Sequence, residues 1–257
     1  MIPLKDNIPT VHFPIVTVAL IVLNIGMYFF FQQGGLAFGE PTGDHYIENV
    51  KEYGSIPYEI THPGEQCPQP GAGPEACGED RGSGLASTWL TLLTSIFMHG
   101  GLLHLGGNML FLWVFGNNIE DSMGRVKYVA FYLLGGLAAT LAQTLIDTGS
   151  TVPSIGASGA VAAVLGGYAL LYPRARVVTL VIIIIFITII ELPALLVLGL
   201  WFLLQLYDAS QPVAGEGGGV AYFAHIGGFL FGLALIKLFA SRQNPHYDSY
   251  NPRPGVY

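Results

Sequence analysis

The sequence predicts an all-α, polytopic membrane protein: six transmembrane helices with a long external loop between the first two. Three observations carry that expectation. Only 11% of the 257 residues are charged and 52% are hydrophobic, where soluble domains carry about 25% charge. The mean hydropathy is +0.54. The apolar residues fall in runs of about 20, the helical length that crosses a hydrocarbon core of roughly 30 Å, and the 34 glycines suit helices packed closely in lipid. A water-soluble enzyme is excluded on this composition. Nucleic acid is excluded as a partner, because the net charge is -7 and no strong basic cluster exists.

The first span is expected at residues 12–31 and lacks the small-residue cleavage site of a secretory signal, so it reads as retained. Residues 34–90 form the loop. The second span follows at 92–116, the third at 126–146, and the fourth at 156–172, ending at Tyr172-Pro173. From Val177 to Leu206 the chain is apolar for about 30 residues, about 45 Å as a single helix and too long for one span. Glu191 and Pro193 divide it. Residues 177–190 are β-branched and too short to cross, so they read as an interfacial or re-entrant segment, and 191–207 take the fifth crossing. The sixth span covers 221–240, and residues 241–257 form a polar tail. The whole chain reads as a single membrane domain.

Six spans put both termini on one side. Lys5, Arg125, Lys127, Arg174, Arg176, Lys237, Arg242 and Arg253 all fall on that face, which the positive-inside tendency makes cytoplasmic. The opposite face receives the acidic loop, with only Lys51 and Arg81 as basic residues, and the short connections carrying Asp147, Asp208 and Glu216. The expected location is a prokaryotic cell (inner) membrane. Cys67 and Cys77 lie in the external loop, where a disulfide and a pair of free thiols are equally simple readings; with His62 they make no zinc ligand set. Rich in Gly, Pro and Glu, this loop is expected to be only partly ordered.

Polar residues inside spans are costly and therefore point to function. In the second span His104 and Asn108 are four apart, on one helix face, so two uncharged donors can aim at one acceptor. Taken alone, such a pair more often binds helices together. His99, flanked by glycine, reads as a loop-supporting residue. The fourth span opens Gly156-Ala157-Ser158-Gly159, which sets Ser158 beside unpaired N–H groups and the positive end of the helix dipole, where an oxyanion is stabilised next to a serine nucleophile. An N-cap serine in a packing motif is the favoured reading of that motif in isolation. In the sixth span His225 precedes Gly228 and Gly232 on the same face, and Ser158, Ala162 and Gly166 offer a matching small face. Two such faces pack closely enough to bring Ser158 within reach of His225, in a pocket open to the outside that His104 and Asn108 share.

The motifs His104-x-x-x-Asn108, Gly156-x-Ser158-Gly159 and Ala224-His225-x-Gly227-Gly228-x-x-x-Gly232, in this order and at matching depth, resemble those of the rhomboid family of intramembrane serine proteases. The similarity is strongest over about Leu92 to Phe239. It implies a rhomboid-like bundle and a Ser-His dyad with Ser158 as nucleophile and His225 as general base, and an oxyanion hole of the Ser158 N–H with the His104 and Asn108 side chains. Gly156, Gly159, Gly228 and Gly232 would support the site. The resemblance also implies transmembrane proteins as substrates, within the lipid bilayer, and no metal or organic cofactor. Two departures stand out: Ala162 occupies a position where family members often stack an aromatic ring on the histidine, and the first loop has no Trp-Arg pair. A non-catalytic rhomboid-like protein that binds transmembrane helices is the alternative; such proteins would be expected to lack the serine or histidine. A transporter would need an intramembrane charge pair, and none is seen.

Overall fold

The computed structural model describes residues 1–79, 87–183, 186–211, 220–241, 244–245 and 247. Asp80, Arg81, Glu216, Arg242, Arg253 and most of the expected tail lie outside the described residues. The chain is mostly helical. In order, it forms β1 (Ile2–Asp6), α1 (Ile15–Gly26, continued by a π-helical turn Met27–Phe31), α2 (Asp44–Tyr53), α3 (Pro57–Thr61), β2 (Glu65–Gln66) and β3 (Gly78–Glu79). Then come α4 (Thr88–Thr94), α5 (Leu102–Met123), α6 (Arg125–Ile146) and α7 (Ser158–Leu171), followed by β4 (Arg176–Ile183), β5 (Phe186–Pro193), α8 (Ala194–Ala209) and α9 (Tyr222–Phe239).

The centre of the bundle is α7. Ala160, Ala162, Ala163, Val164 and Leu165 are fully buried, so this helix is apolar all round, as a helix enclosed by others must be. Its 14 residues rise only about 21 Å. By length and composition α6 and α9 are each sufficient to cross a membrane, and Thr88–Phe97 with Leu102–Met123 passes the same test as a bent pair, while α1, α7 and α8 are shorter apolar helices. The outward faces of α6, α8 and α9 carry exposed Leu141, Leu145, Leu203, Leu230 and Leu238, an apolar exterior that suits lipid.

Three sequence expectations are corrected. The all-α class is incomplete, because residues 177–190 build an antiparallel hairpin paired to the N-terminal strand, in the order β1-β4-β5. The Val/Ile run suits a pleated ladder, and its partner comes from about 175 residues away in sequence, which no local pattern reveals. The fifth helix accordingly starts at Ala194 rather than 191, since Glu191–Pro193 complete β5. The second span is not one helix from 92 to 116. Its axis turns by 77° across Met98–Gly101 and α5 runs on to Met123. Gly101 has φ +136°, and a Cβ there would fall on the Gly39 carbonyl. That close approach lets the Ala37 and Phe38 carbonyls accept the Leu102 and Leu103 N–H groups at 2.9 and 3.2 Å, satisfying donors that a helix start leaves open.

The 34–79 stretch is also more ordered than its composition suggests. Tyr46 is buried and donates to the His99 carbonyl, Asn49 donates to the Phe31 carbonyl, and the buried Glu59 carboxylate accepts the Cys67 N–H at 2.8 Å. Burial pushes the Glu59 carboxyl up from its ordinary value, against that hydrogen bond. Cys67 and Cys77 are joined by a disulfide. This segment sits on the 148–154 connection through Ser55 paired with Ser154 and the Gly71 N–H on the Thr151 carbonyl.

The opposite end of the bundle gathers the N-terminal strand and Asn244. Asp6 accepts from Tyr168 Oη at 2.6 Å and Asn118 Nδ2 at 2.8 Å, and Asn244 Nδ2 donates to the Pro9 carbonyl. Burial raises the Asp6 carboxyl to about 6 even though those hydrogen bonds pull the other way. Nearby, Glu120 caps α1 from outside: its oxygens accept the Val16 and Thr17 N–H groups and the Thr17 hydroxyl at 2.8–3.0 Å.

Candidate active site

Ser158 is the first residue of α7, so its N–H, like those of Gly159 and Ala160, precedes the first helical bond, which the Val161 N–H makes to Ala157. Gly156, two residues earlier, has φ +135° and donates its N–H to the Ser95 carbonyl. A Cβ on Gly156 would lie 2.8 Å from the Nε2 edge of His104 and 3.4 Å from Ser158 Oγ. Only a glycine both tolerates that backbone conformation and leaves that space open.

The close approach of α7 to α9 has a steric basis. A Cβ on Gly228 would fall on the Gly159 carbonyl, one on Gly232 on the Ala163 carbonyl, and one on Gly159 on Ala139 of α6. With the two backbones in contact, His225 in the first turn of α9 reaches Ser158: His225 Nε2 is 2.7 Å from Ser158 Oγ.

One cavity of about 600 Å³ is lined by Ser158, His225, His104 and Asn108 together. The hydrogen bonds assign the protons. The Gly100 N–H can only donate, and it meets His104 Nδ1 at 3.2 Å, so the neutral ring carries its proton on Nε2, the edge facing the gap in front of Gly156. Asn108 is buried, and its Nδ2 donor has no partner among the described residues. The His104 Nε2 edge thus lies near the serine hydroxyl, and the unsatisfied Asn108 donor lines the same cavity, an arrangement suited to a negatively charged oxygen. No group of three or more metal-ligating side chains occurs among the described residues.

His99 sits behind this pocket, not in it. It is fully buried, its backbone is held by Gln32 and Tyr46, and its ring stands edge-on to His104 at 5.2 Å. Gln205 of α8 is the neighbour that motif spacing does not reveal. Its Oε1 is 2.6 Å from His225 Nδ1, and the Trp201 ring lies 5.8 Å from the imidazole. A lone amide in the apolar 194–206 run was the available signal, by the same cost argument that singles out His104 and Asn108.

A family model of the rhomboid domain matches residues 86–242, more than half of the chain and the part that contains all four pocket residues. The chain belongs to the rhomboid family. Curated rhomboid relatives agree. The chain is 30% identical over 150 residues to the yeast (Saccharomyces cerevisiae) "Rhomboid protein 1, mitochondrial", covering 56% of this chain and 40% of that protein. It is 33% identical over 153 residues to the zebrafish (Danio rerio) "Presenilin-associated rhomboid-like protein A, mitochondrial", covering 57% and 37% respectively. Over a shorter stretch of 75 residues it is 39% identical to "RHOMBOID-like protein 5" of Arabidopsis thaliana, 29% of this chain and 24% of that one. The chain therefore matches about two fifths or less of the length of these relatives. Two of the names carry a mitochondrial location, at odds with the expectation of a prokaryotic cell membrane.

Proposed function

We propose that this rhomboid-family chain is an intramembrane serine endopeptidase that hydrolyses peptide bonds in or near transmembrane segments of membrane proteins. The observation that carries the reading is the 2.7 Å contact of His225 Nε2 with Ser158 Oγ, at a helix start and in a cavity that the unsatisfied Asn108 donor also lines. His225 takes the hydroxyl proton as Ser158 attacks the scissile carbonyl, then passes it to the leaving amine; water, deprotonated in turn by His225, releases the acyl group. The Ser158 N–H, His104 Nε2–H and Asn108 Nδ2–H hold the carbonyl oxygen as its charge develops. Asn, His and a backbone amide are all neutral at rest, which limits the cost of burying the site.

The proposed topology keeps six spans. α4 with α5 forms the bent second one, and the short α7 is enclosed by its neighbours. Both termini and the β1-β4-β5 sheet face the cytoplasm with Lys5, Arg174 and Arg176, and residues 34–90 face outside with the mouth of the pocket. That opening brings water to a bond that lipid would keep dry. A substrate helix must unwind locally to offer its carbonyl, because its backbone groups are otherwise mutually bonded. Purified protein in liposomes should cleave a model transmembrane substrate and be labelled by a fluorophosphonate probe. Ser158→Ala should abolish both, and His225→Ala nearly so. Cleavage undiminished in Ser158→Ala would overturn the proposal.

A further inference from the structure

We propose that Gln205 is a positioning residue for His225, making the site a Ser158-His225 dyad oriented by an amide; this rests on the dyad reading above. The amide is oriented by its own bonds. Its Nε2 donates to the Trp201 carbonyl one turn back at 3.2 Å, so the oxygen is the end left for His225, 2.6 Å from Nδ1. An amide oxygen can only accept, and it therefore holds the proton on His225 Nδ1. The Nε2 lone pair is then directed at Ser158 Oγ, the tautomer a general base requires. The side chain is 8% exposed and the Trp201 ring flanks the imidazole, so the ring is oriented from α8 rather than from α7, where Ala162 offers no aromatic surface.

The choice of amide over carboxylate follows from the surroundings. A charged carboxylate in this apolar helix contact would cost several kcal/mol to desolvate, whereas a neutral amide with both ends bonded is cheaply buried. The titratable side chains around His225 are His104 from α5, Tyr222 on its own helix and Glu40, which lines the same cavity. None of these is hydrogen-bonded to Nδ1 among the described residues. An amide that merely bound α8 to α9 would not need its oxygen on the catalytic ring.

The test compares Gln205→Met, which keeps length and removes the acceptor, with Gln205→Glu, which keeps an acceptor oxygen in place whether or not it is ionised. Cleavage of the transmembrane substrate in liposomes is measured beside thermal stability and the ¹⁵N shifts of His225, assigned by difference from His225→Ala. Gln205→Met should lower kcat about 100-fold, the low end of what a general base contributes, with KM within about twofold. His225 should lose its dominant Nδ1–H form in the Met variant, and Gln205→Glu should return kcat to within about tenfold of the parent. Wild-type kcat in Gln205→Met, an unchanged His225 tautomer, or equal losses in the Met and Glu variants would each overturn the proposal. Ser158→Ala run alongside separates the two claims. If it retains cleavage, the dyad reading falls; if it abolishes cleavage while Gln205→Met is unaffected, only the role of Gln205 falls.

Discussion

Replacing Asn108 by leucine should make the protein more stable and less active at once. Asn108 Nδ2 is a buried donor with no protein partner among the described residues, and a donor that lacks one costs about 1–3 kcal/mol relative to an apolar group. Leucine has the same branched four-atom skeleton, its greater bulk has the adjoining cavity to enter, and it removes that penalty. A gain of about 1 kcal/mol corresponds to a rise in Tm of roughly 2–4 °C for a chain of this size. In the proposed oxyanion hole the same donor meets the developing charge, and losing one such donor costs about 2.7–4 kcal/mol, or about 10²–10³ in kcat. The measurement is kcat on a reconstituted transmembrane substrate together with a thermal melt in detergent. Because His104 and the Ser158 N–H remain, activity should fall without vanishing. An unchanged kcat would remove Asn108 from the oxyanion hole, and a lowered Tm would show that its side chain holds helices together instead.

Three further outcomes are expected. Gly228→Val places carbon onto the Gly159 carbonyl, so α9 must retreat from α7; cleavage should be lost with a Tm lower by several degrees, whereas Gly199→Val, where a Cβ has open space, should alter neither. Glu120→Ala leaves the first N–H groups of α1 without the carboxylate that caps them and should cost about 2–3 kcal/mol of stability, read as a lower Tm that Glu120→Gln partly restores. Asp6 has its carboxyl raised to about 6 in the fold from an ordinary value of 3.8, so the folded state binds the proton more tightly than the unfolded one. Its contribution is fully present below about pH 4 and is lost as pH rises through 6, an effect on the order of 3 kcal/mol. Asp6→Asn should flatten the dependence of Tm on pH over that window, and an unchanged slope would rule out Asp6 as its source.

Ser158, His225, His104 and Asn108, which line one cavity, were legible as motifs because each is a polar residue in a segment where polarity is costly, at spacings that fix its helix face. The glycines of α9 were legible for the same reason: a small-residue stripe predicts close backbone contact whatever the partner. Less could be read where the chain departs from helical periodicity. An apolar run such as 177–206 is compatible with helix or strand, and what decides between them is pairing of β4 with residues 2–6 at the far end of the chain. The break at Met98–Gly101 depends on the Gly39 carbonyl pressing against Gly101, and Gln205 acquires a role only when α8 lies against α9.

By itself the sequence determined that this protein belongs in a membrane, that its helices pack through glycine faces, and which four polar side chains to seek around one cavity, because composition and short-range spacing act through local geometry. Only the tertiary structure decided the hairpin, the point where α5 begins, the hydrogen bond that His104 Nδ1 accepts, and the amide that meets His225. Each of these depends on a hydrogen-bond or contact partner brought from another part of the chain, which no local pattern encodes.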